Sequence, residues 1–211
     1  MRASDEKREQ IVNRFLLDNF FKKYDPNAEL VVDEQKQLLG ADLIFKGLDV
    51  DIKAQTSYLN NPRDTYILEI STLNRWGHPI PGWFINPYNT TMYYCFVWIP
   101  NASVDNRGNL LKVNKAELLF VRKSALRNCI KLMASDDKLY RTSEMMRKTG
   151  TRHKILDRGI RYVMSDQLKE KPVALVIPKS LLHVISIKHC LVGEDSIVDI
   201  GVNVTKKMMC K

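Results

Sequence analysis

Residues 41–54, Ala-Asp-Leu-Ile-Phe-Lys-Gly-Leu-Asp-Val-Asp-Ile-Lys-Ala, restrict what this chain can fold into more than any other stretch. Apolar and polar side chains alternate on both sides of Lys46-Gly47, the pattern of two antiparallel strands joined by a tight turn. A turn at Lys46-Gly47 sets Phe45 opposite Leu48 and Asp42 opposite Asp51, and opposed side chains lie ~4.5–5.5 Å apart at Cβ. Period-two alternation gathers Leu48, Val50, Ile52 and Ala54 with Ala41, Leu43 and Phe45 on an apolar face. It leaves Asp49, Asp51, Lys53 and Gln55 with Asp42 on the polar one.

Two carboxylates facing one another repel unless a positive charge lies between them. A divalent cation supplies that charge. Mg²⁺ takes hard oxygen ligands, commonly one or two protein carboxylates, and keeps sites for water and phosphate oxygens. A lysine two residues along the same face would orient an attacking water and steady the growing negative charge. These residue types suit phosphodiester hydrolysis. An ordinary half-exposed strand also reads Leu-Asp-Val-Asp-Ile-Lys, so the weight falls on three further features. Asp42 is in register, Gln55 continues the polar face, and Glu69 interrupts the apolar run Tyr66-Ile67-Leu68-Glu69-Ile70.

Elsewhere the pattern predicts a helix over 5–23 with Ser4 as N-cap, Asp5 and Glu6 in its first turn, and a stripe of Ile11, Phe15, Leu16 and Phe20. Strands are expected at 29–32, 41–45, 48–54, 65–72, 91–99 and 117–121, with a polar loop over 100–108. Residues 123–148 favour two helices parted at Ala134-Ser135-Asp136. A basic connection is expected over 150–159, a strand at 172–177, a short helix at 179–184 and a last strand at 195–204. The 211 residues suit one domain without a separable linker: an α/β core over 1–122 and a basic, mainly helical extension over 123–211 with one or two added strands.

Charge is distributed unevenly. Residues 1–110 carry 12 basic and 14 acidic side chains, whereas residues 111–211 carry 21 basic and 10 acidic, and the chain is +9 overall. Ten basic residues fall between Arg122 and Lys154. A polyanion held by the basic half is the functional reading, and a solvated helical face the plain one. Arg147, Lys148, Arg152 and Lys154 are the first choice for contacts to a nucleic-acid backbone, which position a substrate without reading its sequence. No run of 18 uncharged apolar residues exists, and the charged N-terminus lacks a secretory h-region. Four cysteines without a CxxC pair (Cys95, Cys129, Cys190, Cys210) read as free thiols, so a cytoplasmic protein without a membrane partner is expected. His78, His153, His183 and His189 are too dispersed in sequence for a zinc motif, and GxSxG, GxxxxGK[ST] and GxGxxG are absent.

Asp42 followed by Asp51-Ile52-Lys53 on the next strand, after a leading helix, resembles the signature of the PD-(D/E)XK nuclease superfamily. The series Gln37, Gly40-Ala41-Asp42, Asp51-Ile52-Lys53, Thr65 to Glu69, Gly82-Trp83, Thr91 and Tyr94 is similar to members of that superfamily from bacteria and mobile elements. The likeness covers roughly residues 5–100. It implies a restriction-endonuclease-like α/β fold, a mixed sheet flanked by helices, here with a basic helical C-terminal portion. It implies Asp42 and Asp51 as ligands of Mg²⁺, with Mn²⁺ as a substitute, and Lys53 as the catalytic lysine. Gln55 resembles a glutamine that follows the lysine in some branches. Glu69 is expected to support the site, and Glu9 or Glu6, with Asp33 and Glu34 as rivals, to complete it. Ala41 stands where the signature has proline, and no helix is evident between the Glu69 and Thr91 strands, where the common core has one. The activity implied is a DNA nuclease, an endonuclease before an exonuclease, with a homodimer to cut both strands. RNA as substrate stays open, as does a DNA-binding protein that keeps the fold without the chemistry.

Overall fold

The structure, a computed structural model, describes residues 3–157 and 159–201, with side chains from Asp5 onward. It is mixed α/β and divides into two units. One comprises the chain to Arg63, Thr90–Ser124 and the chain from Leu182; the other comprises Asp64–Asn89 and Ala125–Leu181. Residues 64–89 of the expected core thus belong to the second unit, and the strands after Leu182 to the first.

The first unit is built on a seven-stranded mixed sheet. Its strands, from one edge, are β1 (Glu29–Leu30), β2 (Leu43–Phe45), β3 (Leu48–Ala54), β6 (Tyr93–Val104), β7 (Leu110–Arg122), β11 (Ser186–Gly193) and β12 (Ile197–Asp199). The β2–β3 hairpin has the expected register, Phe45↔Leu48, Ile44↔Asp49 and Leu43↔Val50. Lys46 (φ 51°) and Gly47 (φ 73°) both take left-handed backbone, as the hairpin turn that matches strand twist requires. β3 then pairs parallel with β6, and every other neighbour in this sheet is antiparallel. A parallel pair needs a long crossover; here it is the segment that builds two strands of the second unit. Between the strand carrying Glu69 and β6 there is no helix.

One face of the sheet is covered by the N-terminal helix. α1 (Ala3–Leu16) runs into a π-helical turn at Leu17–Phe21 and a last turn, α2 (Lys22–Tyr24). Leu17, Phe20 and Phe21, at i, i+3 and i+4, are all buried. They pack with Val12, Phe15 and Leu16 against Leu43, Val50, Ile52, Cys95, Val97, Leu118 and Phe120. The side chain of the expected cap, Ser4, lies outside the described residues. A short helix, α3 (Glu34–Leu38), precedes β2.

The second unit has a five-stranded antiparallel sheet in the order β5 (Pro79–Pro81), β4 (Thr65–Leu73), β10 (Val173–Pro178), β9 (Ile160–Met164), β8 (His153–Asp157). The two expected helices are α4 (Lys123–Lys131) and α5 (Asp136–Thr149), the latter packed on β4 and β9. Ser135 caps α5 by accepting from Lys138 N, and Gly150 ends it at φ 69°. α6 (Lys179–Ile185) leads into β11.

Several expectations are corrected. The described part of 123–211 holds three helices and five strands, not a mainly helical extension. The basic connection over 150–159 contains β8 and turns at Gly159 (φ 83°) into β9; β11 was not expected at all. β6 continues through the expected loop to Val104, with register irregularities between Trp98 and Asn101 absorbing Pro100, which cannot donate to the ladder. No described helix is long and apolar enough to cross a membrane.

Candidate functional site

β3 runs between β2 and β6, so its residues face neighbours on both sides. Val50 and Ile52 point into the core beneath the N-terminal helix, which sends Asp51 and Lys53 to the opposite face, beside Tyr94 and Phe96 of β6. Asp51 is 1% exposed, and its Oδ1 accepts from Lys53 Nζ at 2.6 Å. The lysine side chain retains 24% exposure.

Asp42 reaches the same spot by a slightly different route from the one the register implies. Strand pairing ends at Leu43↔Val50, and Asp42 N donates to Val50 O at 3.0 Å. Ile52, two residues on, also directs its N–H toward β2, where the strand has stopped. Asp42 Oδ2 takes that N–H at 2.7 Å, so one carboxylate both ends the pairing and stands next to Asp51. The two carboxyls are close enough to hydrogen-bond once one carries a proton. While both are ionised, Asp51 Oδ2 is buried with no hydrogen-bond partner.

The electrostatics follow from this geometry. Loss of water raises the Asp51 pKa to about 7; the Asp42 charge adds to the rise, and Lys53 opposes it. Burial alone would lower Lys53, but the charges of Asp51 and Asp42, with Glu9 behind them, hold its ammonium above the ordinary lysine value. Glu9 on α1 is raised by desolvation and then by Asp42, with Lys53 pulling the other way. The ionisation of Glu9 is coupled to both Asp42 and Lys53. Glu9 is exposed, three residues before Val12, where the buried stripe that continues to Leu16 begins. Asp33 instead caps α3, accepting from Gln35 N at 2.8 Å and Lys36 N at 3.3 Å.

The other named residues have partners of their own. Gln55 uses both ends of its amide on one backbone position, accepting from Arg63 N at 2.9 Å and donating to Arg63 O at 3.2 Å. Glu69 lies on β4 in the second unit, where its charge acts on Arg147 and its carbonyl accepts from Phe84 N at 3.1 Å. Arg147 is half-buried in that unit: it donates to Ser71 Oγ (2.7 Å) and to Lys171 O (3.0 Å). Ser71 passes the chain on to Ser143 at 2.6 Å, and Ser143 donates to Tyr140 O. Arg152 pairs with Asp166 at 2.5 Å on the surface, and Lys148 and Lys154 are exposed.

Thiol chemistry has no support here. Burial raises Cys95 and Cys129 and pushes Cys190 up to about 12, which disfavours the thiolate. These three are free thiols, and Cys210 lies outside the described residues. Comparison of the chain with protein-family models, with curated proteins and with solved structures gives no match. The class that the fold defines is therefore mixed α/β with a mixed sheet.

Proposed function

We propose that the chain is a divalent-metal-dependent nuclease of restriction-endonuclease-like type, acting on DNA through Asp42, Asp51 and Lys53. The observation that carries this reading is the buried Asp51 carboxylate, with one oxygen on Lys53 and the other unpartnered beside Asp42. A buried acid in that state is costly, and a cation at its open oxygen relieves the cost. The donor set fits a hard ion: carboxylate oxygens from Asp42 and Asp51. Mg²⁺ or Mn²⁺ held there supplies Lewis acidity to a phosphoryl oxygen. Asp51 and Asp42 fix its place on the sheet. Lys53, anchored by Asp51 and reaching the surface, donates to a phosphate oxygen or to the attacking water and stabilises the charge that builds on phosphorus. Exposed Lys148 and Lys154 are available for backbone phosphates.

The test has two arms. Mg²⁺ or Mn²⁺ added to metal-free protein raises its thermal midpoint by mass action, and plasmid is cut in the presence of the ion. Asp51→Asn loses both responses. Retardation of plasmid without cutting, with Asp51 intact, identifies a binding protein instead. Cutting by Asp51→Asn at the parent rate removes the site assignment altogether.

A further inference from the structure

The fold joins two histidines that the sequence keeps apart. β11 pairs with β7 so that His189 lies opposite Leu119, and Glu117 is the next residue along β7 on that same face. His189 Nε2 and Glu117 Oε1 are 2.7 Å apart. α6 ends immediately before β11 and brings His183 back over the strand, its ring 4.1 Å from that of His189 between centroids. Ser186 Oγ donates to His183 O at 3.0 Å and secures the junction. The ligand atoms of Glu117, His183 and His189 all lie within 4.8 Å of one another. All three belong to the first unit, and His189 is buried.

We infer that Glu117, His183 and His189 form a second metal site, suited to a borderline transition ion, Zn²⁺ foremost, rather than to Mg²⁺. Two imidazole nitrogens and one carboxylate oxygen are the ligand type of three-ligand zinc centres that keep a fourth position open. Ligand atoms ~2.0–2.1 Å from a tetrahedral ion are about 3.3 Å from one another. The Glu117–His189 pair therefore has to widen by about half an ångström and His183 to swing inward, adjustments within side-chain rotation. The site is separate from the carboxylate cluster. Lys53, Phe96, Leu119 and His189 form one row across four strands, which places His189 about 14 Å from Lys53 at the strand spacing of ~4.8 Å. Its place in the chain is also particular. His183 is the second residue after the chain re-enters the first unit at Leu182, so an ion there ties that re-entry point to a central strand.

The test uses full-length chain stripped with a chelator and titrated with Zn²⁺ against a chromophoric competitor, then with Co²⁺ for its visible absorption. One equivalent binds the parent. Asp51→Asn, which disables the carboxylate cluster, still binds one equivalent. His183→Ala falls beyond the ~10–100-fold loss that removing an outer hydrogen-bond partner of a ligand causes. Glu117→Gln, which keeps the hydrogen bond to His189 and so guards against misfolding, also weakens binding and alters the Co²⁺ spectrum. Parent protein that takes up no Zn²⁺, or parent-like affinity in both His183→Ala and Glu117→Gln, overturns the assignment.

Discussion

Asp51 should make the metal-free protein lose stability as the solution becomes more alkaline, the reverse of what a salt-bridged aspartate ordinarily does. Its carboxyl ionises near 3.8 in an unfolded chain and at about 7 in the folded one. Between those values the folded state holds a proton that the unfolded state has released. The folded pKa is the higher one, so stability is greatest below about pH 4 and declines as pH rises toward 7. The side chain is buried, so no discount for solvent screening applies. Linkage over that interval gives a loss of about 2–3 kcal/mol between pH 5 and pH 8. For a chain of this size that is roughly 4–12 °C in thermal midpoint. Thermal melts in EDTA across this range, for the parent and for Asp51→Asn, isolate the contribution as a difference. The parent falls relative to the variant, and the gap closes when saturating Mg²⁺ is added, because the ion selects the ionised carboxylate. Parallel curves for the two proteins in EDTA would refute the reasoning, since the buried carboxyl would then titrate as an ordinary one.

Lys53→Ala leaves Asp51 buried without its ammonium and should cost about 3–5 kcal/mol at pH 8 but less at pH 5, where the carboxyl is protonated; denaturant melts at the two pH values check this. The same variant loses plasmid cleavage while keeping stabilisation by Mg²⁺. Gln55→Ala removes two bonds to the Arg63 backbone and should cost about 1–2 kcal/mol with cleavage retained; lost cleavage at an unchanged midpoint would return Gln55 to the site. Lys148→Ala with Lys154→Ala should lower the slope of log DNA affinity against log salt by roughly 2 without changing the midpoint. Arg147→Ala should lower the midpoint, by about 1–3 kcal/mol in stability, because its guanidinium is spent on Ser71 and Lys171.

The sequence displayed local order well and pairing between distant strands poorly. Lys46-Gly47 permits only a tight hairpin, and the alternation beside it sets the limits of β3 and the register of its partner. α4 and α5 are likewise separated by a capping serine. Thr65–Leu73, by contrast, alternates in the same way whichever sheet receives it, so nothing in TYILEIST sends Glu69 to the second unit. β8 was hidden by charge, because a lysine on the exposed face of an edge strand reads as a loop. In the site, Asp42, Asp51 and Lys53 were legible because they are near in sequence. Glu9 needed the exact phase of a helix that ends in a π turn, and Gln55 and Arg147 needed their backbone partners. His183 and His189 sit in a helix and the following strand, and only the β7–β11 register brings Glu117 to them.

The contrast between the two clusters bears on how each could be used. The Glu117–His189 contact is matched in donor and acceptor, a ring nitrogen meeting a carboxylate oxygen. The Asp42–Asp51 contact is not. It places a second acid beside a buried one on a strand whose flanking residues, Val50 and Ile52, are buried apolar side chains. A valine or asparagine at position 51 would fit that strand with less strain on the electrostatics. Groups held this far from their comfortable ionisation, in a fold that is otherwise locally consistent, concentrate where chemistry is done. The lysine argues in the same direction: a purely structural partner for Asp51 could be buried completely, whereas Lys53 keeps a quarter of its surface toward solvent. An ion at the acidic cluster would therefore act on something that arrives from outside. An ion at the histidines would chiefly hold β7, α6 and β11 together. Hardness sorts the two, carboxylate oxygens taking Mg²⁺ and imidazole nitrogens Zn²⁺, so neither site need compete for the other's metal.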